Sequence, residues 1–455
     1  MFFCKKKMLP KSIIEKYNIS TPRYTSYPTI LDWNQKEIIK VELKDKLKSS
    51  FNSDNSPTSV YIHLPFCEQM CTFCGCHKYI TKNHSVEEPY IDSLIREWEM
   101  YEDLAAGEIS VAELHLGGGT PTFFSADELK RLINRITKKR PEKVSYSFEG
   151  HPNYTTPEQL QTLFDLGFSR VSFGVQDYDP IVQKAINRVQ PLEKVKYVTE
   201  LARKIGYKSI SHDLVFGLPF QKMESMKISI QNTLNLIPDN ISLYSYAHVP
   251  WVKGTGQRGF SDEDLPSGSE KRKLYEYAKS ELLEKGYLEI GMDHFGLPSE
   301  PMTKAMLNKK LKRNFMGYTT SNTNRLIGIG ASAISEHDFG FVQNEKNIKL
   351  YQELVSNDDL PAFKGHYHSK EDKILKKHIH ELMCGLETDI NNQLIKSKIN
   401  DKATIFETFK EDGIIEMCDG KLRVTKQGKP FVRNVCMTID PYNEKQKEKK
   451  FSKSV

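Results

Sequence analysis

The chain reads as an α/β protein. A partial (β/α) barrel is preceded by an extended N-terminal arm and followed by a small, mostly helical, winged-helix-like C-terminal domain. Three observations predict this. Strand-like and helix-like segments alternate between residues 59 and 295. Residues 1–50 lack that rhythm and carry a proline-bounded stretch, Thr21-Pro-Arg-Tyr-Thr-Ser-Tyr-Pro28. Beyond about residue 365 the pattern changes to helices around a short hairpin. A length of 455 residues suits two or three structural units, divided here as an arm over 1–50, a catalytic barrel over 51–360 and a cover over 365–455.

The strand candidates, in order, are 60–66, 113–116, 144–149, 170–175, Ser209–Phe216, 241–246 and 288–292, all rich in Val, Ile, Tyr and Phe. Between them, Ile91, Leu94, Ile95 and Trp98 follow the i, i+3, i+4, i+7 spacing of a helix face, as do Leu129, Leu132, Ile133 and Ile136. Thr156 is placed to cap a helix that opens on Pro157 and stops before Gly167. A helix over Leu192–Ile205 stops before Gly206 in the same way. Strands alternating with helices at this spacing pair in parallel. Six or seven such units nearly close into a barrel, with functional residues just past the C-terminal ends of the strands. Further on, 370–386 and 403–412 read as helices, 413–417 and Lys421–Val424 as a hairpin across Asp419-Gly420, and 425–434 as a last helix.

With 38% hydrophobic and 27% charged residues, the composition is that of a soluble globular chain and excludes collagen-like, wholly disordered and polytopic membrane classes. No stretch reaches the roughly 18 apolar residues that span a bilayer. Residues 1–10 carry three lysines with no apolar run behind them, unlike an export signal. Eight cysteines are too sparse for a disulfide scaffold, and the expected compartment is a reducing cytoplasm. Much of the net charge of +6 sits at residues 5–7 and 444–455, which read as solvated termini. No arginine-rich or aromatic-interleaved patch points to nucleic acid. Neither nucleic acid nor membrane is an expected partner.

The distribution of the cysteines is more informative than their number. Cys4, Cys384, Cys418 and Cys436 are scattered and read as ordinary small side chains. Cys67, Cys71, Cys74 and Cys76 fall within ten residues, directly after the first strand. The first three have the spacing C-x3-C-x2-C, and a loop of that size can curl its thiolates around one centre. Zinc usually takes a second ligand pair at finger spacing, which the chain lacks. Thiolates are the usual ligands of iron–sulfur clusters, and three of them on a four-iron cluster leave one iron open. Unligated cysteines and a zinc site remain the alternatives on these residues alone. Gly117-Gly-Gly-Thr120 after the second strand is either a tight turn or a backbone cradle for a carboxylate. Glu149 at the end of the third strand is either solvated or a hydrogen-bond acceptor for an ammonium or ribose hydroxyl. Arg188 and Asp213 fit a carboxylate and a ribose diol, or structural ion pairs.

C-x3-C-x2-C after a first barrel strand, with Phe73 before the last cysteine, resembles the radical S-adenosylmethionine (SAM) superfamily. The segment Phe73-Cys-Gly-Cys76 narrows the resemblance to the oxygen-independent coproporphyrinogen III oxidases (coproporphyrinogen dehydrogenases). So do Pro22-Arg-Tyr-Thr-Ser-Tyr-Pro28, His115-Leu-Gly-Gly-Gly-Thr-Pro121, Gly174-Val-Gln-Asp177, Asn187-Arg188, Asp213-Leu-Val-Phe-Gly-Leu-Pro219, Tyr246-Ala-His-Val-Pro250, Gly291-Met-Asp-His-Phe295, Arg313-Asn-Phe-Met-Gly-Tyr-Thr-Thr320 and Gly330-Ala-Ser-Ala-Ile-Ser335. These segments run in order through nearly the whole chain. The resemblance implies that Cys67, Cys71 and Cys74 hold a [4Fe–4S] cluster whose open iron chelates SAM. It implies that Tyr61, Phe73, Gly118, Glu149 and Ile334 line that SAM, and that Gly119, Thr120, Gln176, Arg188, Asp213 and Ala247 line a second one. It gives Cys76 a catalytic, substrate-side role, against the plainer reading of a loop cysteine. His63, His77, His248 and His294 lie in matching segments and read as structural. One segment departs from the family pattern: Glu149-Gly-His-Pro152 stands where Glu-Val-Asp-Pro is usual.

The implied activity is removal of a β-hydrogen from a propionate of coproporphyrinogen III by a 5′-deoxyadenosyl radical. Loss of an electron and CO2 leaves a vinyl group, and a second round gives protoporphyrinogen IX in haem biosynthesis. The implied partners are that substrate and a reductant such as flavodoxin or ferredoxin, acting on a monomer. Arg23 of the arm is expected to clamp substrate carboxylates. Two rivals are a haem chaperone of the same superfamily, which lacks the second cysteine of Cys74-Gly-Cys76 and the arm stretch, and a radical enzyme acting on another tetrapyrrole. A winged-helix-like end also raises nucleic-acid binding, against which a cover over the substrate is the better reading.

Overall fold

The computed structural model describes residues 10–34, 40–250, 256, 257, 259–445 and 451. Cys4, the lysines at 5–7 and most of the basic tail lie outside these residues. Six parallel strands form the frame: β1 (Thr58–Leu64), β2 (Val111–Gly118), β3 (Ser145–Gly150), β4 (Phe168–Gln176), β5 (Ser209–Phe216) and β6 (Asn240–Ser245). They are followed in the chain by β7 (Leu288–Ile290), β8 (His294–Gly296), β9 (Leu326–Ile329), β10 (Ile334–His337), β11 (Gly340–Asn344) and β12 (Ala362–Tyr367). All twelve belong to one sheet in the order β12-β11-β10-β9-β1-β2-β3-β4-β5-β6-β8-β7. Its edges, β12 and β7, are not neighbours, so the barrel is partial, as predicted.

Two corrections concern the ends of the sheet. The strand expected over 288–292 stops at Ile290 and returns through the antiparallel hairpin β7–β8. The seventh parallel strand is instead β9, paired to the other side of β1. Strands β9 to β12 are short, and no helix separates β9, β10 and β11, so they lack the rhythm that betrays a βα unit.

The parallel strands alternate strictly between two environments. Val60, Ile62 and Leu64 of β1, Leu114 and Leu116 of β2, Tyr146 and Phe148 of β3, and Val171 and Phe173 of β4 join the main hydrophobic core. On that side lie helices α1 (Glu87–Leu104), α2 (Ala126–Ile136), α3 (Pro157–Asp165) and α4 (Leu192–Ile205). The other side is polar: Ser59, Glu113, Ser147, Arg170, Ser172, Ser211 and Asp213 face an inner cavity of about 200 Å³. Parallel strands are usually apolar on both faces. Here a period of two is kept because the inner face meets solvent space rather than a packed barrel centre. The helix signals read correctly: Thr156 forms a capping box with Gln159, and α4 ends on Gly206 at φ 118°.

The C-terminal part contains α5 (Lys370–Gly385), helices Gln393–Asp401 and Ala403–Glu411, a three-stranded sheet of Glu387–Asp389, Ile415–Cys418 and Lys421–Val424, and helix Val432–Ile439. That last helix begins seven residues later than the sequence suggested, after a 3-10 turn over Lys429–Phe431 that opens on Pro430. The arm is less extended than expected, with helices over Lys11–Tyr17 and Lys40–Ser53. Ile14, Tyr17, Tyr24 and Tyr27 are buried in the core of the C-terminal part, and the Tyr24 hydroxyl donates to Asp440 Oδ2 at 3.0 Å. Among the described residues no helix is long and apolar enough to cross a membrane.

Helix α1 locks the frame from behind. Glu97 is fully buried and accepts from the Gly330 amide (2.8 Å), Asn344 Nδ2 (2.6 Å) and the Tyr351 hydroxyl (2.6 Å). Two turns earlier, Tyr90 donates to the His63 carbonyl and accepts from the Ala331 amide, both at 2.9 Å. The end of β1 is thereby tied to the turn between β9 and β10. Burial pushes the Glu97 carboxyl up to about 7. Its folded value lies above its ordinary one of 4.5, so its contribution to stability is complete below that value and is lost as pH rises through about 7. The thermal midpoint of Glu97→Gln relative to the parent is therefore expected to rise between pH 5 and pH 8, as the parent's buried carboxyl ionises. A difference between the two that does not change with pH would contradict the assignment.

Candidate active site

The cysteine loop leaves the C-terminal end of β1. Phe66–Cys67 pairs in parallel with Tyr79–Ile80, so both stems of the loop are anchored by backbone: Tyr79 N donates to Pro65 O at 2.8 Å and Thr81 N to Cys67 O at 2.9 Å. Against this loop lies the glycine turn after β2. Gly119 N donates to Leu64 O and Thr120 N to Phe66 O. A Cβ on Gly119 would stand 2.6 Å from the Pro65 carbonyl, and Gly118, at φ 114°, packs on the His63 ring at a distance no side chain tolerates. The glycines are thus required by the close approach of two strand ends. His63 is neutral, since burial pulls it down to about 4. It is held between the Tyr61 hydroxyl (2.9 Å) and the His77 carbonyl (3.0 Å).

These elements enclose a cavity of about 160 Å³ past the strand ends. Its walls bring together Cys67, Cys71, Phe73, Cys74, Cys76, Gly118, Gly119, Thr120, Glu149, Gln176, Arg188 and Asp213, drawn from the cysteine loop and from β2, β3, β4, β5 and the segment after β4. Three of the candidates from sequence do not line it. Tyr61 lies lower on β1, stacked on His115. Ala247 offers its carbonyl to Gln257 Nε2 at 3.1 Å. Ile334 is buried with Trp33 and Phe341. None of the four histidines in matching segments is in the cavity wall. His248 pairs with Asp262 at 3.3 Å, and His294 packs on Tyr244 and Tyr318. Neither reaches this cavity.

The thiols are half-buried except Cys76, which is exposed, and none is in a disulfide. Thr120 donates its hydroxyl to Cys67 Sγ at 3.3 Å, and Arg188 donates to Cys71 Sγ at 3.6 Å and to the Gly174 carbonyl. Burial pushes Cys67 up to about 11. A hydrogen bond from Cys76 lowers Cys74 below the usual thiol range, with Lys78 and Arg188 adding positive charge. Among the described residues no three Cys, His or carboxylate side chains are grouped to hold one ion. The three thiols instead ring a cavity, and such a donor set fits a polynuclear iron–sulfur cluster, where each thiolate binds a different iron.

The far wall is electrostatically distinct. Asp213 accepts from the Ser172 hydroxyl at 2.8 Å, and burial raises it to about 6. Glu149 lies 3.5 Å from His115 Nε2. Gln176 takes φ 69° at a register shift between β4 and β5, which turns its side chain beside Arg188. Glu68, Gln69, Lys78 and Tyr154 line the cavity and escaped the sequence reading. Lys78 donates to the Cys74 carbonyl at 3.1 Å, and its place two residues past Cys76 was the available signal. Tyr154 packs tilted against the His151 ring, centroids 4.6 Å apart, beside the Gly150-His151 departure. Gln257 was also missed; it bridges Phe73 O and Ala247 O from a segment without pattern.

Comparison with known proteins points the same way. Residues 61–231 match the radical SAM superfamily. The chain is 37% identical to the oxygen-independent coproporphyrinogen III oxidase of Helicobacter pylori, covering 97% of this chain and 98% of that one. It is 33% identical to the Escherichia coli protein of the same name, covering 98% of each. The solved structure of the Escherichia coli coproporphyrinogen III oxidase, a radical SAM enzyme, superimposes with a TM-score of 0.87 at 31% identity, over 95% of this chain and 99% of that one.

Gly119→Ala is expected to push the cysteine loop off β1 and cost about 1–3 kcal/mol of stability. Urea unfolding of the cofactor-free protein measures this, and an unchanged midpoint would contradict the close approach.

Proposed function

The chain belongs to the oxygen-independent coproporphyrinogen III oxidases of the radical SAM superfamily, and from that membership we propose how its own residues carry out the reaction. It is an oxidoreductase of haem biosynthesis that converts two propionate side chains of coproporphyrinogen III to vinyl groups, giving protoporphyrinogen IX. Its cofactors are a [4Fe–4S] cluster and SAM, which together supply a 5′-deoxyadenosyl radical.

Cys67, Cys71 and Cys74 would hold the cluster, and SAM would bind beside it. Thr120 and Arg188 hydrogen-bond two of the sulfurs, which steadies thiolate charge in a partly buried site. The amides of Gly118 and Gly119 and the Glu149 carboxylate receive the carboxylate and ammonium of the methionine moiety. Asp213, oriented by Ser172, accepts from ribose hydroxyls of a second SAM beside Gln176 and Arg188. Tyr61 and Ile334 act on the first SAM from behind, through the strands that carry the lining residues. Cys76, exposed beside the cluster loop, faces the substrate. Each round removes one β-hydrogen and one electron from an ionised propionate and releases CO2, so the residues need not deliver a proton. They must exclude water and hold the propionate at the cavity. The enzyme works in the cytoplasm as a monomer, reduced by a protein such as flavodoxin or ferredoxin.

The observation that carries this reading is the cavity that gathers the four thiols of the cysteine loop, the glycine turn, Glu149 and Asp213. Anaerobic incubation of reconstituted protein with coproporphyrinogen III, SAM and a reductant is expected to yield protoporphyrinogen IX, CO2, methionine and 5′-deoxyadenosine. Absence of CO2 would refute it. Replacing Cys67, Cys71 or Cys74 by Ser is expected to abolish cluster absorbance. Cys76→Ser is expected to keep the absorbance and lose turnover; loss of both would make Cys76 a ligand.

A further inference from the structure

Two of the three ligand thiols receive a side-chain donor from outside the cysteine loop. Thr120 stands on the glycine turn after β2. Its amide donates to Phe66 O at 2.9 Å and its carbonyl accepts from Phe123 N at 2.8 Å, so its backbone is fixed on both sides. A threonine hydroxyl has a single proton, and here it goes to Cys67 Sγ at 3.3 Å. Thr120 is 8% exposed, so little water competes for that proton. Arg188 stands on the segment after β4, with its amide on the Gln183 carbonyl at 2.8 Å. Its guanidinium forks between Cys71 Sγ at 3.6 Å and the Gly174 carbonyl. The fork has room because residue 174 is glycine: a Cβ there would stand 2.9 Å from Arg188 Nη2. The third thiol, Cys74, is served from within the loop by Cys76. One neutral and one charged donor are thus held on two sulfurs by separate elements of the frame.

We propose that Thr120 and Arg188 raise the reduction potential of the cluster, and so make it reducible by an external one-electron donor. This rests on the reading that Cys67, Cys71 and Cys74 hold a [4Fe–4S] cluster. Hydrogen bonds to the ligand sulfurs are among the factors that set a cluster's potential. The reduced state carries one more negative charge, so a donor on a sulfur binds it more strongly than the oxidised state. The step itself is a transfer of one electron: the external reductant is oxidised by one, the cluster is reduced by one, and no proton moves. Both side chains act through the sulfurs, which makes them positioning residues in this role. Their backbones are tied to the frame and not to the loop's own turns, so the donors stay in place while the loop takes up its metal.

An anaerobic redox titration of the reconstituted, SAM-free protein tests this, with the reduced cluster followed by its EPR signal in the parent, Thr120→Val, Thr120→Ser and Arg188→Met. Valine keeps the branching of threonine and removes only the donor. At a fixed reductant potential the ratio of reduced to oxidised cluster is expected to fall about fivefold in Thr120→Val, a midpoint about 40 mV lower for one electron. Arg188→Met falls at least as far, because its lost donor is charged. Thr120→Ser stays at the parent midpoint, and cluster absorbance is kept in all three. A Thr120→Val midpoint equal to the parent's, at full cluster absorbance, would overturn the proposal. So would a Thr120→Ser midpoint as low as that of the valine variant, which would assign the shift to packing. If Thr120→Val assembles no cluster, Arg188→Met decides: a lowered midpoint supports the proposal and an unchanged one overturns it. A parent that shows no four-iron absorbance or EPR signal after reconstitution sinks the cluster reading itself, whereas a normal parent signal with unshifted variants sinks this proposal alone.

Discussion

The constraint on which the rest depends is the difference in solvation between the two faces of one parallel sheet. Leucine, valine and aromatic side chains of β1 to β4 are removed from water against four helices, and that burial supplies the main driving force for folding. The opposite face carries serines, Glu113, Arg170 and Asp213 around open space. A closed barrel would have to fill that centre with side chains. Leaving the sheet open lets the strands keep a polar face around that space. It also leaves room at their C-terminal ends for something larger than a side chain. The Glu97 and Tyr90 hydrogen bonds then set how the last parallel strand meets the first.

Charge is arranged around the cavity on the same principle. His63 and His151 are kept neutral by burial, so the space beside the thiols gains no competing cation from them. Lys78 and Arg188 bring positive charge to the sulfurs, while Asp213 and Glu149 keep negative charge on the far side.

Much of this was legible in the amino-acid sequence. The βα rhythm marks six of the seven parallel strands, because each lies between helices with clear caps, such as Thr156 and Gly206. β9 was missed because Leu326–Ile329 is only four residues long and runs into a glycine turn. Most of the proposed ligands were visible because they cluster at strand ends. Lys78, Tyr154 and Gln257 were not, since each reaches the site through the tertiary path of a loop rather than by spacing. Tyr61, Ala247 and Ile334 illustrate the reverse case: resemblance points to them, yet each is set behind the wall of the described cavity. The C-terminal helix began late because a proline favours a first turn, and here that turn is a separate 3-10 segment.

The arm also bears on how the chain reaches this state. Ile14, Tyr17, Tyr24 and Tyr27 complete a core whose other members lie between Leu375 and Ile439. The earliest of these residues to leave a ribosome must therefore wait for the last before their apolar surface is covered. The frame of β1 to β6 closes between strands that follow one another in the chain, although β1 also needs β9 near residue 327. Covering of the arm's aromatic residues is instead coupled to completion of the chain.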